Sequence, residues 1–187
     1  MGHAQEAAPL ARQAYLDWEA AQPDKHEYIA GEVFAMVGVR REHALVALTL
    51  ASHMRAHLKG SRCHTYVADM KLFVTAADAY FYPDVMVTCD ERDRRAELAI
   101  EHPRLIVEVL SDSTAAYDRG DKFAAYRKLA DLQEYLIVDI DHRRLELYRR
   151  EADHWLLLES EGDGAALHLQ SVDLHLRPTE AFEDLED

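Results

Sequence analysis

Hydrophobic and polar positions along this chain switch between a period of two and a period of three to four, and the switches predict the order of its elements. Residues 11–21 predict a short helix that ends before Pro23. The segment HEYIAGEVFAMV predicts two short strands that turn at Ala30-Gly31. Residues 41–58 predict an amphipathic helix of about five turns. Its apolar positions are Leu45, Ala47, Leu48, Ala51, Met54 and Leu58.

The middle and the end of the chain are rich in predicted strands. CHTYVADMKLFVT is one bent strand or two, and FYPDVMVTC and PRLIVEVL are strands rich in Val, Ile and Leu. The charged segment 90–102 between them is a loop with room for one helical turn. A second helix is predicted over 121–132, followed by the buried strand EYLIVDI and two meander strands, RRLELYRR and HWLLLES.

This order predicts an α/β or α+β fold in which helices flank a mixed β-sheet. PRLIVEVL, the second helix and EYLIVDI form a strand–helix–strand crossover, which places the two strands parallel. The length of 187 residues predicts one domain, 1–187, with a core over 10–178, a short N-terminal tail and an exposed acidic C-terminal tail.

Composition and charge narrow the classes of function. Lys and Arg number 21 and Asp and Glu 35, so the net charge of −14 argues against a protein that coats nucleic acid non-specifically. No stretch predicts a membrane span, and MGHAQEAAPL does not resemble a signal peptide. Cys63 and Cys89 make neither a disulfide framework nor a zinc knuckle, so a reducing cytoplasm is expected.

Two carboxylates lie where a buried strand disfavours them. Glu108 is in the middle of LIVEVL, on the face shared by Ile106 and Leu110, and an unpaired charge there costs several kcal/mol. Either a cation neutralises the Glu108 carboxylate, or the end of this strand is closer to solvent than the apolar pattern indicates. Asp84, after Pro83, either makes a local turn contact or joins Glu108 at one cation, since Mg²⁺ prefers one or two carboxylates.

A lysine on the second helix completes the candidate site. Asp118, Lys122 and Tyr126 are spaced four apart and share one stripe of the helix. Lys122 therefore either forms a plain surface pair with Asp118 or brings an ammonium to the carboxylates, where it stabilises charge on a phosphate.

These motifs occur in an order that resembles one family. PD at 83–84, IVEVLSDST at 106–114, DRGDKFAAY at 118–126 and EYLIVD at 134–139 resemble the Uma-two-like restriction endonucleases of the PD-(D/E)XK nuclease superfamily. KHEYIAGEVFAM resembles the opening hairpin of that family, and REHALVALTLASHM resembles its long helix. The resemblance implies a restriction-endonuclease-like core.

The resemblance also implies roles for single residues. Asp84 and Glu108 correspond to the acidic metal ligands, with the Val109 carbonyl as a further ligand. Leu110 occupies the usual lysine position, so Lys122 resembles a lysine that has migrated to the helix. Glu32 resembles an acidic residue that faces the same site, or it is a hairpin-turn carboxylate. His43 and Asp69 lie at family-like positions without an assigned role.

The function implied is a metal-dependent endonuclease that hydrolyses DNA phosphodiester bonds with Mg²⁺, for which Mn²⁺ substitutes. Arg119, Arg127 and Lys128 are candidate phosphate contacts. Two alternatives stay open: a catalytically inactive binding or scaffold protein with a nuclease fold, and a hydrolase of another phosphoester such as RNA or a nucleotide. DNA is the expected partner, together with a second copy of the chain in a homodimer and no membrane.

Overall fold

The predicted strands pair into two main sheets in the computed structural model, which describes residues 9–111 and 114–185. The strands are β1 (His26–Ile29), β2 (Glu32–Ala35), β3 (His64–Val67), β4 (Lys71–Val74), β5 (Ala79–Phe81), β6 (Val85–Thr88), β7 (Ala99–Ile100), β8 (Pro103–Val109), β9 (Glu134–Asp139), β10 (Arg144–Glu151), β11 (His154–Glu161), β12 (Leu167–Leu169) and β13 (Leu174–Leu176). The helices are α1 (Arg12–Glu19), α2 (Arg41–His57), α3 (Ala115–Tyr117), α4 (Phe123–Tyr126) and α5 (Pro178–Ala181).

The larger sheet has six strands in the order β11-β10-β9-β8-β6-β3. Its central pair, β8 and β9, is parallel, and the other neighbours are antiparallel. Because β8 and β9 are joined through the helical segment 115–126, the predicted crossover is confirmed. The mixed sheet flanked by helices confirms the predicted fold class.

The smaller sheet has five strands in the order β2-β1-β5-β4-β7. Its β1–β2 hairpin turns at Ala30 and Gly31, which both have positive φ angles, 49° and 98°. A Cβ atom on Gly31 would lie 2.5 Å from the Cβ of Pro9, so only glycine fits this turn. The stretch 63–75, predicted as one strand or two, is two strands that belong to different sheets.

Apolar side chains cover both faces of the six-stranded sheet. Helix α2, the β12–β13 hairpin and α5 pack on one face with residues such as Val107 and Leu136. The other face, which carries Ile106 and Leu110, packs against α4 and the five-stranded sheet. Helix α1 covers the outer side of the smaller sheet, where Tyr15 stacks among aromatic rings. The candidate site therefore lies on a sheet face that two other layers cover.

Two helix predictions need correction. Helix α2 and its C-cap residue bury the predicted Ala51, Met54 and Leu58. The helix also buries Val46 and Leu50, which were not predicted, whereas Leu48 is exposed. The second helix was predicted over 121–132, but regular helix begins earlier and ends at Tyr126. A π-helical turn, Asp118–Lys122, lies inside it and joins α3 to α4.

The C-terminal segment and the cysteines also differ from expectation. Residues 178–185 are packed against the core rather than free: Phe182 inserts beside α2, and Asp184 accepts a hydrogen bond from Thr49, while Glu183 and Asp184 are exposed as expected of an acidic end. Residues 1–8 and 186–187 of the predicted tails lie outside the described residues. Cys63 and Cys89, which flank the paired ends of β3 and β6, form a disulfide.

The described residues contain no helix that is both long and apolar enough to cross a membrane.

Replacing Phe182 by Ala is expected to lower the free energy of unfolding by about 3 kcal/mol, since a buried aromatic ring is lost from the core. Leu98→Ala, at an exposed position, is the control and is expected to change it by less than about 0.5 kcal/mol. Urea unfolding followed by circular dichroism measures both. Equal effects of the two substitutions would contradict the packing of the C-terminal segment.

Candidate active site

Two neighbouring strands bring Asp84 and Glu108 to one place. Strands β6 and β8 pair with Val85 opposite Val107, so the next pair of the register sets Asp84 across from Glu108. Directly opposed residues of an antiparallel pair extend to the same face of the sheet. Both residues line a cleft of about 420 Å³ between the sheets. The predicted convergence of the two carboxylates is therefore what the sheet register produces.

The carboxylate of Glu108 is buried and held at one oxygen. Its Oε1 atom accepts a hydrogen bond of 2.6 Å from the Tyr126 hydroxyl and lies 2.9 Å from the Lys122 ammonium. Both partners come from the helical segment that follows β8. The Oε2 atom has no hydrogen-bond partner among the described residues, so one oxygen of Glu108 is left for a ligand in the cleft.

Lys122 is the centre of the site. Its Nζ atom lies 2.9 Å from Glu108, 3.2 Å from Glu27 and 3.6 Å from Asp118. It extends from the π-helical turn Asp118–Lys122, in which Asp118 and Lys122, four residues apart, are both buried. Lys122 thus does not form a plain surface pair: one ammonium meets three carboxylates from three separate elements.

Asp84 is oriented by two donors. Its Oδ2 atom accepts a hydrogen bond of 2.8 Å from the Val109 amide, and its Oδ1 atom lies 2.9 Å from Nε2 of His43. Because a carboxylate only accepts, the His43 Nε2 atom carries the hydrogen. His43 projects from the first turn of α2, so the long helix is coupled directly to the candidate ligand.

Burial and the surrounding charges shift the pKa values of Glu108, Asp118 and Lys122. Burial raises the pKa of Glu108 to about 8, and Asp84 and Asp118 add to this rise while Lys122 opposes it. Burial also raises the pKa of Asp118. Burial lowers the pKa of Lys122, but the surrounding carboxylates outweigh it and hold that pKa well above the usual value. Lys122 is therefore a permanent cation at neutral pH.

The donor set of the cleft fits a magnesium ion. Asp84 and Glu108 supply carboxylate oxygens, and Val109, whose amide donates to Asp84, lines the same cleft. Among the described residues no group of three or more His, Cys, Asp or Glu side chains is arranged to hold a metal ion. Mg²⁺ is commonly held by one or two carboxylates and keeps several waters, so an open site of this kind suits it.

Several other sequence candidates lie outside this cleft. Glu32 is exposed at the turn end of β2, opposite Ile29, and does not line the cleft. Asp69 is exposed and pairs with Lys25. The residue of the hairpin that does reach the site is Glu27 on β1.

The three predicted phosphate contacts, Arg119, Arg127 and Lys128, lie in different surroundings. Arg119 forms salt bridges with Glu146 of β10 at 2.6 Å and with Asp139 of β9 at 3.0 Å. These contacts link the π-helical turn to the two strands. Arg127 is exposed and lies over the ring of Phe123. Lys128 is exposed. None of these three lines the cleft.

Sequence reasoning missed the positions of Glu27 and His43. Glu27 follows Lys25 and His26, so no apolar run marks it as a misplaced charge in the way that LIVEVL marks Glu108. His43 lies on the apolar side of α2, one turn before Val46 and Ala47. Only the packing of α2 beside the start of β6 reveals that this histidine meets Asp84.

Comparison with known proteins agrees with this architecture. Residues 12–178 match the sequence model of the Uma2 family, described as "Putative restriction endonuclease". Two uncharacterised proteins of Synechocystis are similar: slr1290 is 40% identical over 166 residues, covering 88% of this chain and 87% of the relative. The other, sll1609, is 35% identical over 161 residues, 84% and 91% of the two chains.

A solved structure has the same fold. It comes from Anabaena variabilis and carries the description "a putative nuclease belonging to DUF820". It superposes with a TM-score of 0.76 at 18% identity and covers 94% of this chain and 98% of its own.

The raised pKa of Glu108 predicts a pH-dependent stability. In the metal-free protein its protonated form stabilises the fold fully below about 4.5, and this contribution is lost as the pH rises through about 8. We expect Glu108→Gln, which carries no charge, to unfold with a flatter pH dependence over that window. Wild type should therefore lose stability relative to the variant as pH rises. Urea unfolding at several pH values in EDTA measures it, and parallel curves would contradict it.

Proposed function

This chain belongs to the Uma2 family of restriction-endonuclease-like proteins, and on that premise we propose that it is a magnesium-dependent nuclease that hydrolyses DNA phosphodiester bonds. The observation that carries the proposal is one cleft lined by four carboxyl side chains, Glu27, Asp84, Glu108 and Asp118. Three of them, Glu27, Glu108 and Asp118, surround the ammonium of Lys122. Such an excess of negative charge is costly unless a further cation enters.

Asp84 and Glu108 would hold that cation, with the Val109 carbonyl beside them. Bound Mg²⁺ supplies neutralisation of the scissile phosphate and activation of a water for attack. Glu32 is not part of this set, because it lies outside the cleft. The acidic residue that the hairpin contributes is Glu27, which reaches the site through Lys122.

Lys122 acts through its charge. Since the surrounding carboxylates keep its pKa well above the usual value, it does not serve as a base at neutral pH. Its ammonium instead stabilises negative charge that develops on the phosphate during attack, and it fixes Oε1 of Glu108. A lysine on the π-helical turn can fill the same role as a lysine at position 110 after β8, because its ammonium reaches the same cleft.

His43 and Tyr126 orient the two ligands. The hydrogen bond from His43 to Asp84 and the one from Tyr126 to Glu108 each occupy one carboxylate oxygen. Partners of this kind set the direction of a metal-binding carboxylate and are typical of metal sites.

Substitution of the site residues tests the proposal. We expect Asp84→Asn and Glu108→Gln each to abolish Mg²⁺-dependent cleavage, because each removes a ligand charge while keeping the size of the side chain. Lys122→Ala is expected to slow cleavage about a hundredfold or more, as when one stabilising donor is removed from an active site. Lys122→Arg is expected to restore little, since a planar guanidinium does not replace a compact ammonium.

The measurement is cleavage of single-stranded circular DNA and of supercoiled plasmid in Mg²⁺ and in Mn²⁺, with the fold of each variant checked by circular dichroism. Wild-type rates in folded Asp84→Asn and Glu108→Gln would assign any cleavage to another site. No cleavage by the wild type of any DNA or RNA would contradict the nuclease function and favour an inactive scaffold.

Magnesium binding is tested separately by thermal unfolding near neutral pH. A ligand that binds only the folded state stabilises it by mass action, about 2.7 kcal/mol at a hundredfold excess over the dissociation constant. We expect millimolar Mg²⁺ to raise the melting temperature of the wild type and of Glu32→Gln, because Glu32 lies outside the cleft. Asp84→Asn and Glu108→Gln should lose the shift. A shift that vanishes in Glu32→Gln but persists in Asp84→Asn would reverse the ligand assignment.

A further inference from the structure

The segment Phe34–Arg40 lines the cleft together with the carboxylates. It runs from β2 to the start of α2, and its residues after Ala35 are in neither helix nor strand. Nine large hydrophobic side chains are exposed in the described part of the chain. Three of them are in this short segment: Phe34 is 46% exposed, Val37 74% and Val39 55%. Apolar side chains are thus concentrated beside the candidate active site.

The cleft offers few cationic contacts for a rigid duplex. Among the described residues that line it, Arg40 and Lys122 are the only Lys or Arg. Lys122 already faces three carboxylates. Proteins that bind duplex DNA neutralise several phosphates with Lys and Arg, and the net charge of −14 opposes such binding elsewhere on the surface.

The candidate ligands also lie deep. The side chains of Asp84 and Glu108 are only 15% and 5% exposed, so a phosphodiester must enter the cleft to reach them. A single strand bends and splays its bases, whereas a duplex carries each phosphate on a stiff, paired backbone. Aromatic side chains such as Phe34 stack on the faces of unpaired bases without regard to sequence, and aliphatic side chains beside them add apolar contact area.

With the nuclease function proposed above as the premise, we infer that the cleft binds a single DNA strand, with unpaired bases packed against Phe34, Val37 and Val39. Paired DNA is then a substrate only where one strand is already unpaired.

Binding is measured by fluorescence anisotropy of the full chain in EDTA, so that no cleavage occurs. The probes are a labelled DNA strand, a blunt-ended duplex of the same sequence and the corresponding RNA strand. We expect the DNA strand to bind at least about tenfold more tightly than the duplex, because only unpaired bases can pack against the apolar segment. RNA binding as tight as that of DNA would overturn the assignment of DNA as the strand bound.

Val37→Ser with Val39→Ser is expected to weaken binding of the single strand about tenfold, since both side chains lose their contact with bases. Both positions are exposed, so the fold should not change. Leu98→Ser is the matched control, an equally exposed apolar residue outside the cleft, and should bind as the wild type does. In cleavage assays the double variant should raise KM and leave kcat nearly unchanged.

The outcomes separate this inference from the nuclease function itself. Metal-dependent cleavage of the blunt-ended duplex at least as fast as that of the single strand, unchanged in the double variant, would overturn the single-strand inference alone. Failure to bind or cleave any of the three probes would overturn both.

Discussion

The ion contacts of Lys122 are the interaction on which the candidate site depends. One buried ammonium contacts Glu27 of β1, Glu108 of β8 and Asp118 of the π-helical turn, and so joins both sheets and the crossover helix at a single point. Removing one partner of a buried ion pair typically costs about 3–5 kcal/mol, because the remaining charge is left without compensation. The same contacts keep Lys122 charged at neutral pH, so its structural role and its proposed catalytic role are one electrostatic arrangement.

The π-helical turn and helix α2 hold the residues around Lys122 in place. The π-helical turn places Asp118 and Lys122 side by side on the buried face, and Arg119, inside the same turn, is fixed to Glu146 and Asp139. Helix α2 contributes His43 at its start, which holds Asp84 beside Glu108. Carboxylates packed this closely oppose folding in the absence of a cation, which is the compromise between stability and function that active sites commonly show.

Local patterns in the sequence were sufficient for most elements of the fold and for three residues of the site. A period of two identified the strands, and a charged residue within an apolar strand identified Glu108, because burial of an unpaired charge is too costly to be accidental. The strand–helix–strand order predicted the parallel pair and placed Lys122 near the carboxylates. The limits of the helical segment, its π-helical turn and the buried C-terminal segment were not predictable, since each depends on packing between distant residues.

The sequence by itself therefore determined the fold class and marked Asp84 and Glu108 as candidate ligands, because these depend on residue type and on local pattern, and its ordered motifs resembled one family. The register of β6 and β8 decided that the two carboxylates meet. The tertiary structure alone decided that Glu27 rather than Glu32 enters the cleft and that His43 holds Asp84. It also decided that Cys63 meets Cys89. Each of these depends on how elements far apart in the chain pack and on which side of an element faces inward, and no local spacing records that.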